Sequence, residues 1–155
     1  MEKEVIKRIF NFLEEKGEHI IPLPVKIKLA MPIAKEDLNV KGDLNLKNTN
    51  ITSLPEGLKV GGTLDLSFCT ELTSLSKGLK VGGDLNLFYS NITSLPEGLK
   101  VGGYLSLIGT NMTTLPKGLE VGDFIFIRNT PLTKYTDEEL REMIKPGFIK
   151  GKIYW

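Results

Sequence analysis

The sequence predicts an α+β solenoid, a stack of short repeats whose strands form a parallel β-sheet, with a helix/strand cap at each end. Internal copies of one segment begin about 20 residues apart, at Val40, Val60, Val81, Val101 and Val121. Each copy carries two apolar residues separated by one variable residue, the alternation of a strand with one buried face. One short copy cannot bury its apolar side chains alone, but stacked copies bury a continuous core.

The first 37 residues are expected to form the N-terminal cap. Residues 2–16 have the pattern of an amphipathic helix that ends at Gly17. Its apolar face consists of Val5, Ile6, Ile9, Phe10 and Leu13. Farther along, Val25, Ile27 and Leu29 alternate with lysines, which predicts a strand before the first repeat.

Residues 38–135 contain the five repeats. Each begins with the valine, reaches the alternating pair four residues later, as in Leu64 and Leu66, and continues through a second apolar pair to a Pro-Glu-Gly or similar corner. Glycines permit corner conformations that other residues resist. Because about 20 residues leave little room for a helix on the return path, we expect extended or polyproline-like segments there.

Residues 136–155 are expected to form the C-terminal cap. Thr136 followed by Glu139 is a capping-box pattern, and the helix it begins should run to about Lys145 and stop at Pro146. The tail FIKGKIYW predicts a closing strand or hairpin, with Trp155 covering the last turn. The whole chain, 1–155, is therefore expected to be one domain.

Composition narrows the classes of function. The 155 residues carry a formal net charge of +1, which offers no bulk attraction for nucleic acid or an anionic membrane. No apolar run is long enough to span a bilayer, and the charged N-terminus does not resemble a secretory signal. Cys69 is the only cysteine, which fits a reducing compartment. We therefore expect a cytoplasmic protein.

Known catalytic patterns are missing from the sequence. His19 is the only histidine, no G-x-S-x-G segment occurs, and a lone Cys with a lone His gives no zinc-site spacing. The recurring G-x-x-x-x-G spacing lacks the Lys-Ser/Thr of a phosphate-binding loop. An enzyme would need paired carboxylates, and Asp65 with Asp84 is the only stacked pair of aspartates on the strand face. The prediction is a protein that is not an enzyme and uses no cofactor or metal.

The repeat resembles the leucine-rich repeat family, LxxLxLxx(N/C)xLxxLP, over about residues 38–135. Its short copies are most similar to those of bacterial effectors and of small phage proteins, and the VGG-x-LxL variant is similar to the phage group in particular. The family's Asn position holds small residues here, which we expect to bond to neighbouring turns: Thr49, Cys69, Ser90, Thr110 and Thr130. The resemblance implies that the sheet lies on a concave face. It also implies a phage-encoded, host-directed factor, such as an anti-defence protein in the host cytoplasm.

The positions that flank the strand leucines are the candidate binding surface. They vary widely between copies, whereas the corner residues hardly vary, so the scaffold does not dictate them. The predicted partner-binding patch consists of Phe68, Phe88, Tyr89, Tyr104 and Ile108, with Asp65 and Asp84 as a polar rim. Phe124 and Phe126 either belong to this face or lie under the C-terminal tail.

Two functions follow from this surface. The first is a protein–protein interaction module that binds a host or self protein through the concave face. The alternative is a self-associating structural protein, for example a homodimer held by the apolar strand face. A third surface is the row of Lys59, Lys80 and Lys100, which is either a solvated ridge or a site for an acidic partner or a phosphate backbone.

Overall fold

The computed structural model describes residues 21–155 and, before them, residues 4, 7, 8, 11, 12 and 15–17. Residues 4, 7, 8, 11, 12 and 15 are helical. The predicted apolar face of the N-terminal helix (Val5, Ile6, Ile9, Phe10 and Leu13) and His19 lie outside the described residues. Across the part that is described, no helix is long and apolar enough to cross a membrane.

Residues 21–155 form a parallel β-solenoid with two six-stranded sheets. In one, which we name the LxL sheet, the strands are β2 (Leu44–Asn45), β4 (Leu64–Asp65), β6 (Leu85–Asn86), β8 (Leu105–Ser106), β10 (Ile125–Phe126) and β12 (Ile153–Tyr154). In the other, the Lys-Val sheet, they are β1 (Asn39–Val40), β3 (Lys59–Val60), β5 (Lys80–Val81), β7 (Lys100–Val101), β9 (Glu120–Val121) and β11 (Phe148–Ile149). Each strand pairs with its equivalent one turn away, so neighbours in a sheet alternate in the chain.

The pairing register confirms the stacking predicted from the repeats. Leu85 pairs with Leu64 on one side and with Leu105 on the other. On the return path, Val81 pairs with Val60 and Val101 in the same way. The expectation of merely extended return segments was therefore incomplete, because they form the second sheet. Each strand of the Lys-Val sheet has only two residues, so the sequence shows no alternation of apolar residues there.

The core lies between the two sheets and is built from equivalent residues of successive turns. One turn contributes six apolar side chains that are all buried: Leu64, Leu66, Leu72, Leu75, Leu79 and Val81. Both sheets present alternate residues inward, and the second apolar pair of the repeat fills the space between them. The core is thus continuous along the stack, as expected for a solenoid.

Hydrogen bonds of the small residues at the family's Asn position differ from the prediction. The hydroxyls of Ser90 and Thr110 donate to the carbonyl oxygens of Leu87 and Leu107, three residues earlier in the same turn, at 2.8 and 2.7 Å. Thr49 and Thr130 make the same local bond. A contact between neighbouring turns occurs at Cys69, whose thiol donates to the carbonyl oxygen of Leu46 at 3.1 Å and lies 3.7 Å from Oγ1 of Thr49. At this position of the repeat the hydroxyl lies within reach of the carbonyl three residues earlier, so it closes its own corner.

The predicted strand over Val25, Ile27 and Leu29 is wrong. Helix α1 (Leu23–Lys28) occupies this segment, with Pro22 at its N-cap and Pro24 in its first turn. Proline has no N–H to donate to a strand ladder but is compatible with the first turn of a helix. The two lysines of the helix lie in its last turn, where the helix dipole favours cations.

A partly buried ion pair joins α1 to the 3-10 helix Lys35–Leu38 that precedes β1. The ammonium of Lys26 donates to Oδ2 of Asp37 at 3.0 Å, and the same oxygen accepts a bond from the amide of Ala34. Burial raises the pKa of Asp37, but the two hydrogen bonds and the charge of Lys26 together lower it below its usual value. The pair therefore stabilises the fold in the ionised form of Asp37.

Substitution of Asp37 should make stability less dependent on pH. Because the folded pKa lies below the unfolded value of about 3.9, the contribution is present at neutral pH and is lost as the pH falls below about 4. We expect Asp37→Asn to lower the free energy of unfolding at pH 7 by about 1 kcal/mol, since Asp37 retains some contact with water. Urea titrations at neutral and strongly acidic pH measure this. A deficit of the same size at both values would show that the charge of Asp37 is not responsible.

The C-terminal segment begins with helix α2 (Asp137–Met143), which starts where the capping box predicts. Oγ1 of Thr136 accepts a bond from the amide of Glu139, and Oε2 of Glu139 accepts one from the amide of Thr136. After α2, β11 and β12 add in parallel to the two sheets, so the tail does not form a hairpin with itself. The guanidinium of Arg141 donates to the carbonyl oxygens of Ile149 in β11 and of Gly151 in the segment that leads to β12.

Trp155 does not cover the last turn as predicted, because 48% of its surface is exposed. The tail residue that packs on the preceding turn is Tyr154, whose ring stacks on Phe126 with 5.1 Å between centroids. Phe126 and Tyr154 are register partners in adjacent parallel strands, which brings their side chains to the same face.

Candidate binding surface

The outer side of the LxL sheet is shaped by a repeated turn. The side-chain oxygens Oδ1 of Asn45, Asp65 and Asn86 accept bonds from the backbone amide two residues later, at 3.0, 2.9 and 3.2 Å. This local bond is an Asx turn, and it bends the chain out of the strand. In these three repeats the residue between the two strand leucines supports the corner that follows it, whereas the equivalent corners after Ser106 and Phe126 form without such a bond among residues 21–155.

That corner places one residue per repeat in the left-handed backbone conformation. The residues are Asn48, Phe68, Tyr89, Gly109 and Asn129, with φ between 49 and 71°. Asn and Gly adopt this conformation readily, whereas a side chain such as Phe or Tyr makes it unfavourable by roughly 1–2 kcal/mol. Two of the five corners therefore carry aromatic residues at a backbone position that disfavours them.

These two aromatics form a cluster with Phe88, which we name the aromatic cluster (Phe68, Phe88 and Tyr89). Phe88 meets Phe68 and Tyr89 edge to face, at centroid distances of 5.4 and 4.6 Å. Phe68 and Tyr89 remain 40% and 46% exposed. The ring of Tyr89 lies over Gly109, where a Cβ would meet the ring carbons at 2.8 Å. Glycine at that corner thus makes room for Tyr89.

Next to the aromatic cluster lies an apolar groove of about 290 Å³. It is lined by Asn86, Phe88, Tyr104, Ser106, Ile108 and Phe126. Phe88, Tyr104 and Ile108 of the predicted patch therefore meet in one depression, and Phe68 and Tyr89 adjoin it through their contacts with Phe88.

Two groove residues, Asn86 and Ser106, were not among the predicted binding residues, and a third, Phe126, was left open between this face and the C-terminal tail. All three occupy the position between the two apolar strand residues, and they pair in register with one another. Their shared position in the repeat is therefore the sequence feature that could have identified them. Phe126 packs edge to face on Tyr104, at a centroid distance of 5.7 Å. Phe124 and Phe126 are both half-buried beside Tyr154, and Phe126 still faces the groove.

The predicted polar rim, Asp65 and Asp84, lies on the turns beside the groove and also has a structural role. Oδ1 of Asp84 accepts a bond from the amide of Tyr104 in the next turn at 2.9 Å. Oδ1 of Asp65 accepts bonds from the amide and the hydroxyl of Ser67. Burial, and then the charges of Asp84 and Asp65, raise the pKa of Tyr104, so its phenol stays neutral. Both carboxylates therefore contribute negative electrostatic potential at the Tyr104 side chain, which lines the groove.

The lysine row lies on the Lys-Val sheet, away from the groove. Lys80 pairs in register with Lys59 and Lys100, and all three side chains are exposed. Lys100 also pairs with Glu120, to which its ammonium donates at 3.0 Å. One of the three charges is thus partly neutralised. Within residues 21–155, no group of three or more His, Cys, Asp or Glu side chains converges in a way that suits a metal ion.

Comparison of the chain with protein-family models, with curated proteins and with solved structures found no match.

Proposed function

We propose that this protein is a leucine-rich-repeat module, capped at both ends, that binds a protein partner and is not an enzyme. The binding surface is the outer, concave side of the LxL sheet, where the aromatic cluster adjoins the groove. The similarity of the repeat to phage proteins supports a host-directed role in the bacterial cytoplasm, for example against a defence protein.

The observation that carries this proposal is the backbone conformation of Phe68 and Tyr89. Three of the five equivalent corners hold Asn or Gly, which the left-handed conformation favours. Folding alone gives no reason to prefer exposed aromatic rings at the other two. Residues held in unfavourable conformations concentrate at functional sites, and aromatic side chains dominate the energetics of protein interfaces.

The groove supports the same conclusion. Phe88, Tyr104, Ile108 and Phe126 leave an apolar depression open to solvent, although each packs on neighbouring turns. Apolar depressions with a few polar groups at their edge are the usual form of binding sites. Here Asn86 and Ser106 supply those polar groups.

The double variant Phe68→Asn/Tyr89→Asn tests the proposal without endangering the fold. Asn already occupies the same corner at Asn48 and Asn129, so relief of the left-handed conformation offsets the lost ring contacts. We expect the free energy of unfolding to change by less than about 1 kcal/mol. In affinity capture from bacterial host extract, at least one protein retained by the wild type should be lost by the variant, as identified by mass spectrometry.

Phe148→Asn is the matched control, because it removes an equally exposed aromatic ring from the Lys-Val sheet. It should retain the same proteins as the wild type. Recovery of one identical set of proteins by all three chains would contradict a role for the aromatic cluster.

Self-association is the second candidate function, and one observation favours it. Among the described residues, β11 and β12 end the two sheets, and Phe148, Tyr154 and Trp155 are exposed at this end. Open strand edges with apolar side chains can pair with another chain. A mass in solution that rises with protein concentration, and returns to that of the monomer in Tyr154→Ser, would favour this function over a monomeric binder.

A further inference from the structure

The groove is bordered by carboxylates that are only partly used by the fold. Asp65 and Asp84 each use Oδ1 as a hydrogen-bond acceptor for their own scaffold. Their Oδ2 atoms accept no hydrogen bond from residues 21–155, and neither carboxylate lies in a salt bridge there. Two anionic oxygens therefore remain available, one on Asp84 next to Tyr104 and one on Asp65 in the turn before it.

The same face already binds a cation within the chain. The ammonium of Lys47 lies over the ring of Phe68, 5.8 Å from its centroid. Such placement is favoured because the ring face carries negative electrostatic potential. The rings of Phe88, Tyr104 and Phe126 offer comparable surfaces around the groove. The chemistry of this face thus suits a partner that combines positive charge with apolar bulk.

We propose that the groove binds a basic linear segment of the partner protein. A large apolar side chain of that segment enters the groove, and an adjacent Arg or Lys pairs with the free oxygens of Asp65 and Asp84. This inference rests on the proposed function, since it names the class of partner that the same face would recognise.

Charge complementarity favours this occupant over an acidic or neutral segment. An acidic segment would place like charges beside Asp65 and Asp84, and a neutral one would remove their water without supplying a counter-charge. Arg is especially suited, because its planar guanidinium can donate to two carboxylate oxygens and stack on an aromatic ring.

Three series of short synthetic peptides test the inference by fluorescence polarisation. A central Leu, Phe or Trp is flanked by Arg in the first series, by Gln in the second and by Glu in the third. We expect the Arg series to bind the wild-type chain about tenfold more tightly than the Gln series, with the Glu series weakest. Added salt should weaken the Arg series most.

Asp65→Asn/Asp84→Asn should bring the affinity for the Arg series close to that for the Gln series. Asn keeps the oxygen that accepts each backbone bond and removes only the charge, as Asn45 and Asn86 already show at the position of Asp65. Glu56→Gln/Glu97→Gln is the matched control, because it neutralises two exposed corner carboxylates and should leave the Arg preference intact.

Equal affinity of the wild-type chain for the Arg and Gln series would overturn the inference. If both series were then lost in Phe68→Asn/Tyr89→Asn, protein binding by the aromatic cluster would stand and only the basic segment would be wrong. If no peptide bound while affinity capture still depended on the aromatic cluster, the linear basic segment would again be excluded, with the proposed function intact.

Discussion

Gly102→Ala is expected to lower the free energy of unfolding by about 3 kcal/mol or more. A Cβ on Gly102 would lie inside the contact distance of the carbonyl oxygen of Gly82, its equivalent in the preceding turn. Neither atom can move away, because Gly102 donates its amide to Val81 at 2.9 Å and Gly103 donates to Gly83 at 2.9 Å. The methyl group must therefore separate two turns or break their hydrogen bonds, and chemical denaturation measures the loss.

Gly98→Ala is the control for this substitution. Gly98 has φ of +69°, which disfavours Ala, but no atom lies within 4 Å of the added Cβ. Its cost should be about 1 kcal/mol, from the backbone conformation alone. If the two variants lost equal stability, close approach of the turns at Gly102 would not be the cause.

Leu85→Ala should have the second largest effect, a loss of about 2–5 kcal/mol. Leu85 is fully buried, and its register partners Leu64 and Leu105 lie directly below and above it. Truncation leaves a cavity that neighbouring turns cannot fill, since their hydrogen-bonded strands fix the spacing. The urea midpoint should fall while the slope of the transition stays unchanged.

Thr114→Ala is the control for Leu85→Ala. Thr114 is exposed in a later turn, so its truncation should change the free energy of unfolding by no more than about 0.5 kcal/mol. A small loss in Leu85→Ala, comparable with that of Thr114→Ala, would mean that the turns can collapse onto the cavity.

The stack and its buried residues could be predicted from the sequence, because equivalent positions in successive repeats have the same environment and therefore hold similar residues. Leu64, Leu85 and Leu105 recur at one spacing, and only stacking lets each of them be buried by the next. The helix α2 was predictable for a local reason, since Thr136 and Glu139 cap it without help from the rest of the chain.

The errors arose where local patterns were short or tertiary contacts decided the outcome. Val25, Ile27 and Leu29 alternate like a strand, but Pro22 and Pro24 and the ion pair of Lys26 with Asp37 favour α1. The tail gave no sign that β11 and β12 would each join a different sheet, because that pairing is made with strands of the preceding turn.

The sequence predicted which residues lie on the candidate surface, but it did not predict the backbone conformation or the groove that they form. Register placed Phe68, Phe88 and Tyr104 on one face. The left-handed conformation of Phe68 and Tyr89 could not be predicted, because it belongs to a corner that every repeat adopts whatever residue occupies it. The sequence left two places open for Phe126, and the structure has it both stacked on Tyr154 of the tail and lining the groove.

The in-register pairing of equivalent turns also bears on how such a gene changes length. Recombination between two near-identical coding segments would add or delete one whole turn, and the flanking strands would simply pair with new neighbours. An extra copy inserted between Phe88 and Tyr104 would separate the walls of the groove while leaving the core continuous. One genetic event could thus remove or rebuild the proposed binding surface while the stack of turns stays continuous.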